Sequence, residues 1–365
     1  EEGSGEVVMK DVVIIDGFRT PYAKAGTAFK DVHPVDLGAA IVKEVVARTG
    51  IDTEAIDEVI VGNAGMPAEA ANIARVIALR AGIPQRIPAY SVQRNCASGM
   101  QAAAGAYTQI LAGMTGIALV AGVESMSSYT YYLQKKLRDA LAAMQRSKTI
   151  LAKGRILCSL RPRDFVPVVG LTDGLTDPIS GMIMGETAEV LVRDFGITRR
   201  EQDEFALMSH QRWTAANDAG KFKNEVAPFY VPPKFDAVEE DIGPRKNQTM
   251  EALAKLQPFF DKRFGTVTAG NSSPITDGAA AALIMSADRA KQLGYKPLGF
   301  IKAVAFAGLD PARMGLGPVF AANKALKIAG MNMKGIELIE FNEAFAAQVY
   351  ACEKAAVSKE FFRKH

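Results

Sequence analysis

The sequence predicts an α/β fold on two observations: short apolar runs alternate with longer amphipathic ones over the first 125 residues, and one such unit recurs far along the chain. The β-branched run Val12-Val13-Ile14-Ile15 predicts the first strand, and an amphipathic stretch at 37–46, opened near Pro34, the first helix. A strand at 59–61, a helix at 70–81, a strand at 89–92, a small-residue helix at 98–111 and a strand at 117–121 follow in the same rhythm. Strands spaced by helices imply βαβ units and a buried parallel sheet.

From 129 to 245 that rhythm is lost while charges and prolines rise, as in Pro228-Phe229-Tyr230-Val231-Pro232-Pro233, which predicts an inserted, mostly helical subdomain. The α/β pattern resumes after Gly265. There Ile336-Glu337-Leu338-Ile339-Glu340-Phe341-Asn342 matches Asp57-Glu58-Val59-Ile60-Val61-Gly62-Asn63, each a predicted strand ending in Asn after a helix opened near a proline (Pro318 and Pro34). Such long-period similarity implies two copies of one α/β unit. The expected division is an N-terminal half at 1–128, the insertion at 129–245, completion of the first half at 246–280 and a C-terminal half at 281–365. Cys96 follows Asn63 by 33 residues, whereas 23 residues follow Asn342, so the second unit is expected to be incomplete.

Composition narrows the function. With 48% hydrophobic and 23% charged residues the chain is neither disordered nor fibrous, and 43 Lys and Arg against 40 Asp and Glu leave a net charge of +3, too little for a dedicated nucleic-acid binder. Three scattered cysteines, Cys96, Cys158 and Cys352, argue against a disulfide framework and a thiolate metal site, and predict a reducing compartment. Apolar stretches such as 116–123 and 278–285 are about half the length of a membrane span. The start Glu1-Glu2-Gly3-Ser4-Gly5 is unlike a secretory signal. The histidines are His33, His210 and His365.

The segment Gln93-Arg94-Asn95-Cys96-Ala97-Ser98-Gly99-Met100 falls between a predicted strand and helix. A cysteine at a helix N-terminus faces unpaired N–H groups and the positive end of the dipole, which favour the thiolate and so a nucleophile. The alternative is a small buried residue, since free cysteine is among the most buried types.

At this point the residues resemble the thiolase family, in order along essentially the whole chain. Ile15 to Pro21 look like its first strand and Arg-Thr-Pro turn, Asn72-Ile73-Ala74-Arg75 like its dimer-side helix, Asn95-Cys96-Ala97-Ser98-Gly99 like its nucleophile motif and Gly122-Val123-Glu124-Ser125-Met126-Ser127 like the strand exit after it. Met184-Gly185-Glu186-Thr187-Ala188-Glu189 resembles part of the family's loop domain, Gly265 to Ser273 with Asp277-Gly278-Ala279-Ala280 its coenzyme-A-side loop, and Asn342-Glu343-Ala344-Phe345-Ala346 its second active-site loop.

The resemblance implies a duplicated five-layered α-β-α-β-α fold with an inserted loop domain, and acyl transfer between thioesters with coenzyme A as substrate and no cofactor or metal. It assigns Cys96 as the nucleophile that carries the acyl group and Asn342 as the residue ordering an oxyanion-hole water. It gives Met184, Leu256, Phe260, Ala269, Ser273, Met314 and Phe345 as the acyl-CoA pocket. Ile183 stands where short-chain members tend to carry His, and 175–181 look more like the thiolase subunit of fatty-acid β-oxidation complexes, so a 3-ketoacyl-CoA thiolase is expected. The alternatives are an acetoacetyl-CoA thiolase and a non-catalytic acyl-CoA-binding subunit. The Gly-His-Pro and Cys-Gly-Gly motifs that complete the family's site after Asn-Glu-Ala-Phe do not occur in these residues, and neither His33 nor His210 matches a catalytic position.

A homodimer or dimer of dimers is implied, with 72–80 and the strand after Cys96 at the interface, along with a β-oxidation partner subunit. The implied location is a bacterial cytoplasm or a mitochondrial or peroxisomal matrix. Segment 129–165 holds nine Lys or Arg against Asp139 and Asp164, a local charge of +7. It reads as a solvated helical face, a site for coenzyme A phosphates, or a contact for a membrane surface or partner subunit.

Overall fold

The Val-Val-Ile-Ile run opens β1 (Val12–Arg19), which is followed by β2 (Ala23–Lys24), α1 (Pro34–Thr49), β3 (Glu58–Gly62), α2 (Ile73–Arg80), β4 (Ala89–Val92), α3 (Ser98–Leu111) and β5 (Ile117–Ser125). The computed structural model describes residues 11–358 and 361; the start at 1–5 and His365 lie outside the described residues. Next come β6 (Tyr131–Tyr132), α4 (Lys135–Arg146), α5 (Ile150–Cys158), β7 (Val168–Val169), α6 (Gly170–Gly174), α7 (Met184–Phe195), α8 (Arg199–Asp218), β8 (Phe229–Val231), β9 (Asp236–Val238) and α9 (Met250–Ala254). The last are β10 (Thr276–Ser286), α10 (Ala287–Gln292), β11 (Gly299–Ile301), α11 (Gly317–Ile328) and α12 (Ala346–Val357).

The main sheet runs β11-β1-β10-β5-β3-β4, with β2 on β10. It is mixed rather than parallel throughout. Only β5-β3-β4 are parallel, the product of the βαβ crossovers through α2 and α3, because β10 inserts between β1 and β5 antiparallel to both. The strand after Cys96, β5, is bonded on both sides and cannot offer an edge to a partner; β4 is the terminal strand of the sheet.

Side chains on the strands alternate between two cores. Val59, Val61, Leu119 and Ala121 face α1 and α2, while Ile60, Ala118 and Val120 face Ala102, Ala106 and Ile110 of α3. Helix α1 begins at Pro34, with the His33 Nδ1 accepting from Val35 N at 3.2 Å, and stops at Gly50, whose φ of 65° suits a residue without a β-carbon. Its buried Leu37, Ile41, Val42 and Val45 contribute about 1.5–3 kcal/mol each by transfer from water.

By compactness the chain divides into 1–128 with 185–365, and a smaller unit at 129–184. Residues 185–245, expected to belong to the insertion, group with the larger unit: Leu191 of α7 packs with Leu316, Ala351 and Cys352, and Phe205 of α8 with Ala346 and Val349. Within the smaller unit α4 packs on α5, β6 pairs with β7, and Asp164 accepts from Arg161 N at 2.7 Å and Lys136 Nζ at 2.9 Å.

The strand expected at 336–341 is not formed. No strand pairs with this segment among the described residues, and Leu338 is 86% and Ile339 58% exposed. An apolar strand pattern takes up extended pairing only where a neighbour accepts its hydrogen bonds. No described helix is long and apolar enough to cross a membrane.

Candidate active site

Cys96 lies on the turn between β4 and α3, exposed, two residues before Ser98 opens the helix. The turn is held from below by Ser98, which is buried: its Oγ donates to Asn95 O at 2.6 Å and accepts from Arg94 N at 2.9 Å. Asn95 takes a φ of 45°, in the left-handed region where Asn is better tolerated than most residues, and its Oδ1 accepts from Gln93 Nε2 at 3.0 Å. The first turn of α3 rests directly on the ends of β3 and β5, since a β-carbon on Gly122 would approach Gly99 Cα to 3.1 Å. Arg94 Nε donates to Gln101 Oε1 of α3 at 2.7 Å, and its guanidinium lies 4.0 Å from the centre of the Phe306 ring. Phe306, Met100 and Ala325 help to line an apolar cleft of about 230 Å³.

A second group of predicted residues assembles on a pair of loops. Ser273 N donates to Ala344 O at 2.9 Å, Ala346 N donates to Asn271 O at 3.0 Å, and Ser272 bridges Phe345, so 271–273 and 344–346 are joined main chain to main chain. Phe345 meets Phe260 edge to face at 6.0 Å, and Leu256 lies against Gly270, where a β-carbon would stand 2.4 Å from its Cδ1. Ala269 and Ser273 are exposed on this loop, and Asn342 is exposed just before it joins. Met314 sits on the separate turn Pro311–Leu316, whose Gly315 O accepts from Cys352 Sγ at 3.1 Å and Gln348 Nε2 at 3.3 Å. Met184 ends the 129–184 unit, with its N–H donating to Leu175 O at 2.9 Å. Among the described residues no hydrogen bond joins Cys96 to Asn342.

The supports of these loops were not foreseen from the sequence. Asn271 is buried, accepts from Thr268 N at 2.7 Å, and donates to Thr266 O and to Asp203 Oδ1; the other Asp203 oxygen accepts from Arg199 Nε at 2.8 Å. The buried Glu189 accepts from Thr266 N and Val267 N at 2.8 Å each. Ser209 of α8 donates to Glu343 Oε2 at 2.6 Å, tying the Asn342 loop to that helix. The i,i+4 pair Arg199–Asp203 was the only local signal, and it reads as an ordinary helix surface pair until Asp203 proves buried.

Asn63, the matched counterpart of Asn342, has a structural role. Buried at the end of β3, it donates to Val123 O at 2.8 Å, and with Ala64 N and Gly65 N it surrounds the Glu124 carboxylate. Burial pushes the Glu124 carboxyl up, and these N–H bonds oppose it. Both described histidines are engaged: His33 Nε2 lies 2.9 Å from Glu69 Oε1, and His210 Nδ1 accepts from Arg245 N at 3.2 Å. Burial, then the Arg245 charge, hold His210 below its ordinary value, while Glu343 opposes them. Cys352 is buried in α12, as its helical setting implied.

Comparison with known proteins decides the family. Residues 12–288 match the thiolase N-terminal domain and residues 295–360 the thiolase C-terminal domain. The chain belongs to the thiolase family. It is similar to the 3-ketoacyl-CoA thiolase of Yersinia enterocolitica, 40% identical over 97% of this chain and 80% of that protein, and to that of Yersinia pestis, 41% identical over the same shares. Among solved structures it is similar to Bacillus anthracis acetyl-CoA acetyltransferase, with a TM-score of 0.87 and 38% identity over 97% of this chain and 85% of that one. Human mitochondrial 3-ketoacyl-CoA thiolase, also solved in complex with CoA, gives a TM-score of 0.86 at 35% identity over 96% and 84%. The thiolase fold is therefore that of the α/β sheet described above, and the C-terminal portion, expected to be incomplete, is matched as a thiolase C-terminal domain through residue 360.

Proposed function

We propose that this thiolase is an acyltransferase that cleaves 3-ketoacyl-CoA with coenzyme A. The observation that carries this reading is Cys96, presented to solvent on a rigid turn ahead of α3. Its thiolate attacks the 3-keto carbon; the C2–C3 bond breaks, the electron pair leaves with the acetyl-CoA carbon, and that carbon takes a proton. The acyl group stays on Sγ as a thioester until the thiol of a second coenzyme A attacks, loses its proton and carries the acyl group away. Each attack places negative charge on a carbonyl oxygen, which needs a hydrogen-bond donor where that charge develops. Asn342 fills this need by holding a water.

Leu256, Phe260, Ala269, Ser273 and Phe345, on the paired loops, are proposed to take the pantetheine arm and acyl chain; Met184 and Met314 are proposed as acyl-CoA-binding residues on the resemblance alone. Ile183 favours a longer chain over acetoacetyl-CoA. The enzyme is proposed to work as a homodimer with 72–80 at the contact, in a bacterial cytoplasm or an organelle matrix, and alongside a β-oxidation partner. Incubation with a 3-ketoacyl-CoA, followed by mass spectrometry of the peptides, tests the nucleophile. An acyl adduct is expected on the Cys96 peptide and none in Cys96→Ala; an adduct on Cys158 or Cys352 instead would sink the assignment.

A further inference from the structure

We propose that the apolar cleft beside α3 takes the far end of the substrate's acyl chain and sets how long that chain can be; this rests on the reading of Cys96 as the nucleophile that carries the acyl group. Three elements wall the cleft. Met100 comes from the first turn of α3, Val304 and Phe306 from the segment after β11, and Ala321, Ala322 and Ala325 from α11. Cys96 stands four residues ahead of Met100, a rise of about 6 Å along a helix, and both are exposed, Met100 at 65%. Arg94, two residues before Cys96, lies over the Phe306 ring while its Nε is held by Gln101. The cleft therefore begins where the Cys96 turn ends, and its polar groups stop at the rim.

The chemistry asks for such a space. When the second coenzyme A arrives, its pantetheine arm and the acyl group on Sγ are present together, and each needs an apolar path. During deacylation the paired loops hold the incoming arm, and the chain fixed on Cys96 runs on into the cleft. At about 230 Å³ the cleft has room for about nine carbons, in proportion to an apolar cavity of about 150 Å³ that holds benzene. With the thioester carbon left at Cys96, that is a decanoyl group. The three alanines of α11 leave this room open, and a larger side chain there fills it. No charged side chain lines the cleft, so a coenzyme A phosphate is not its occupant.

Acylation of Cys96 by saturated acyl-CoAs tests this, being the second step run backward. Sγ bonds to the acyl carbon, that carbon's bond to the coenzyme A sulfur breaks, and coenzyme A leaves as its thiol with the proton from Cys96. The full chain is incubated with an equal mixture of butanoyl-CoA, decanoyl-CoA and hexadecanoyl-CoA, and the Cys96 peptide is read by mass spectrometry. Decanoyl is expected to exceed both others. Ala322→Phe, at an exposed position of α11, should lower the decanoyl-to-butanoyl ratio about tenfold. Met100→Ala should raise the share of hexadecanoyl. Each ratio is read within one sample, so a partial loss of fold or of thiol reactivity cancels. A ratio that ignores both substitutions, or that is the same in protein unfolded with urea, would overturn the proposal. So would a wild-type oligomer that dissociates in Ala322→Phe, because a second copy of the chain would then be what covers the cleft. No acyl group on Cys96 from any of the three would overturn the nucleophile reading as well, which keeps the two failures apart.

Discussion

Gly62 and Ser98 meet main chain to main chain: a β-carbon on Gly62 would stand 2.2 Å from the Ser98 carbonyl carbon and oxygen. Backbone cannot swing aside as a flexible side chain does, so the end of β3 sets the height of the first turn of α3 and hence of Cys96. Gly62→Ala is expected to cost about 1–3 kcal/mol by overpacking, and to change the rate at which iodoacetamide labels Cys96. Denaturant unfolding and labelling kinetics check both; wild-type values in each would mean that the turn is positioned by something else.

The Asn271–Asp203 bond ties the paired loops to α8. Asn271→Ala leaves a buried carboxylate oxygen and the Thr268 N–H without their partner, at about 1–3 kcal/mol for each unmet group. Because the affected loop is the proposed coenzyme A side, affinity for coenzyme A, measured by calorimetry, should fall while the iodoacetamide rate at Cys96 holds. An equal loss of both would point to general unfolding rather than a local loosening.

Cys352 should behave unlike the other two thiols. Burial, first, holds its thiol up at about 11 against an ordinary 9.0. The folded protein thus keeps its proton where the unfolded chain has lost it. That contribution is whole below about pH 9 and is lost as pH rises through about 11, a fall of about 2–3 kcal/mol. Cys352→Ser should flatten this part of the stability curve. At pH 8, peptide mass spectrometry should find iodoacetamide on the exposed Cys96 and Cys158 and none on Cys352.

Elements whose partners lie close in sequence were legible. The apolar runs of β1, β3 and β5 and the small-residue face of α3 declare both period and burial, and the strand-to-helix step places Cys96 without any knowledge of the rest. The direction of β10 was not legible, because antiparallel entry between β1 and β5 is a long-range choice made after the insertion. The 336–341 segment misled for a related reason: its pattern is that of a strand, but pairing depends on a neighbour that the pattern does not contain. Asp203 and Ser209 lie in no motif, and Glu189 ends a recognisable stretch that says nothing of its partner; their roles exist only once Asn271, Val267 and Glu343 are beside them.

The two described histidines, His33 and His210, bear on how fast this chain turns over. Thiolysis needs a base to form the Cys96 thiolate and an acid/base for the departing acetyl carbon. His33 is committed at both ring nitrogens, to Val35 N and Glu69, as the N-cap of α1. His210 accepts from Arg245 N and is held below its ordinary value by burial, with Ser209 beside it anchoring Glu343. No hydrogen bond links either ring to Cys96 among the described residues. A polypeptide of residues 1–365 is therefore expected to accept coenzyme A and to react with iodoacetamide at Cys96, yet to cleave 3-ketoacyl-CoA at least a hundredfold more slowly than a thiolase with a paired histidine, the size of a general acid–base contribution. Steady-state assay of this polypeptide beside a 3-ketoacyl-CoA thiolase relative checks it, and a rate within tenfold of that relative would mean that Cys96 is activated by a group other than His33 or His210.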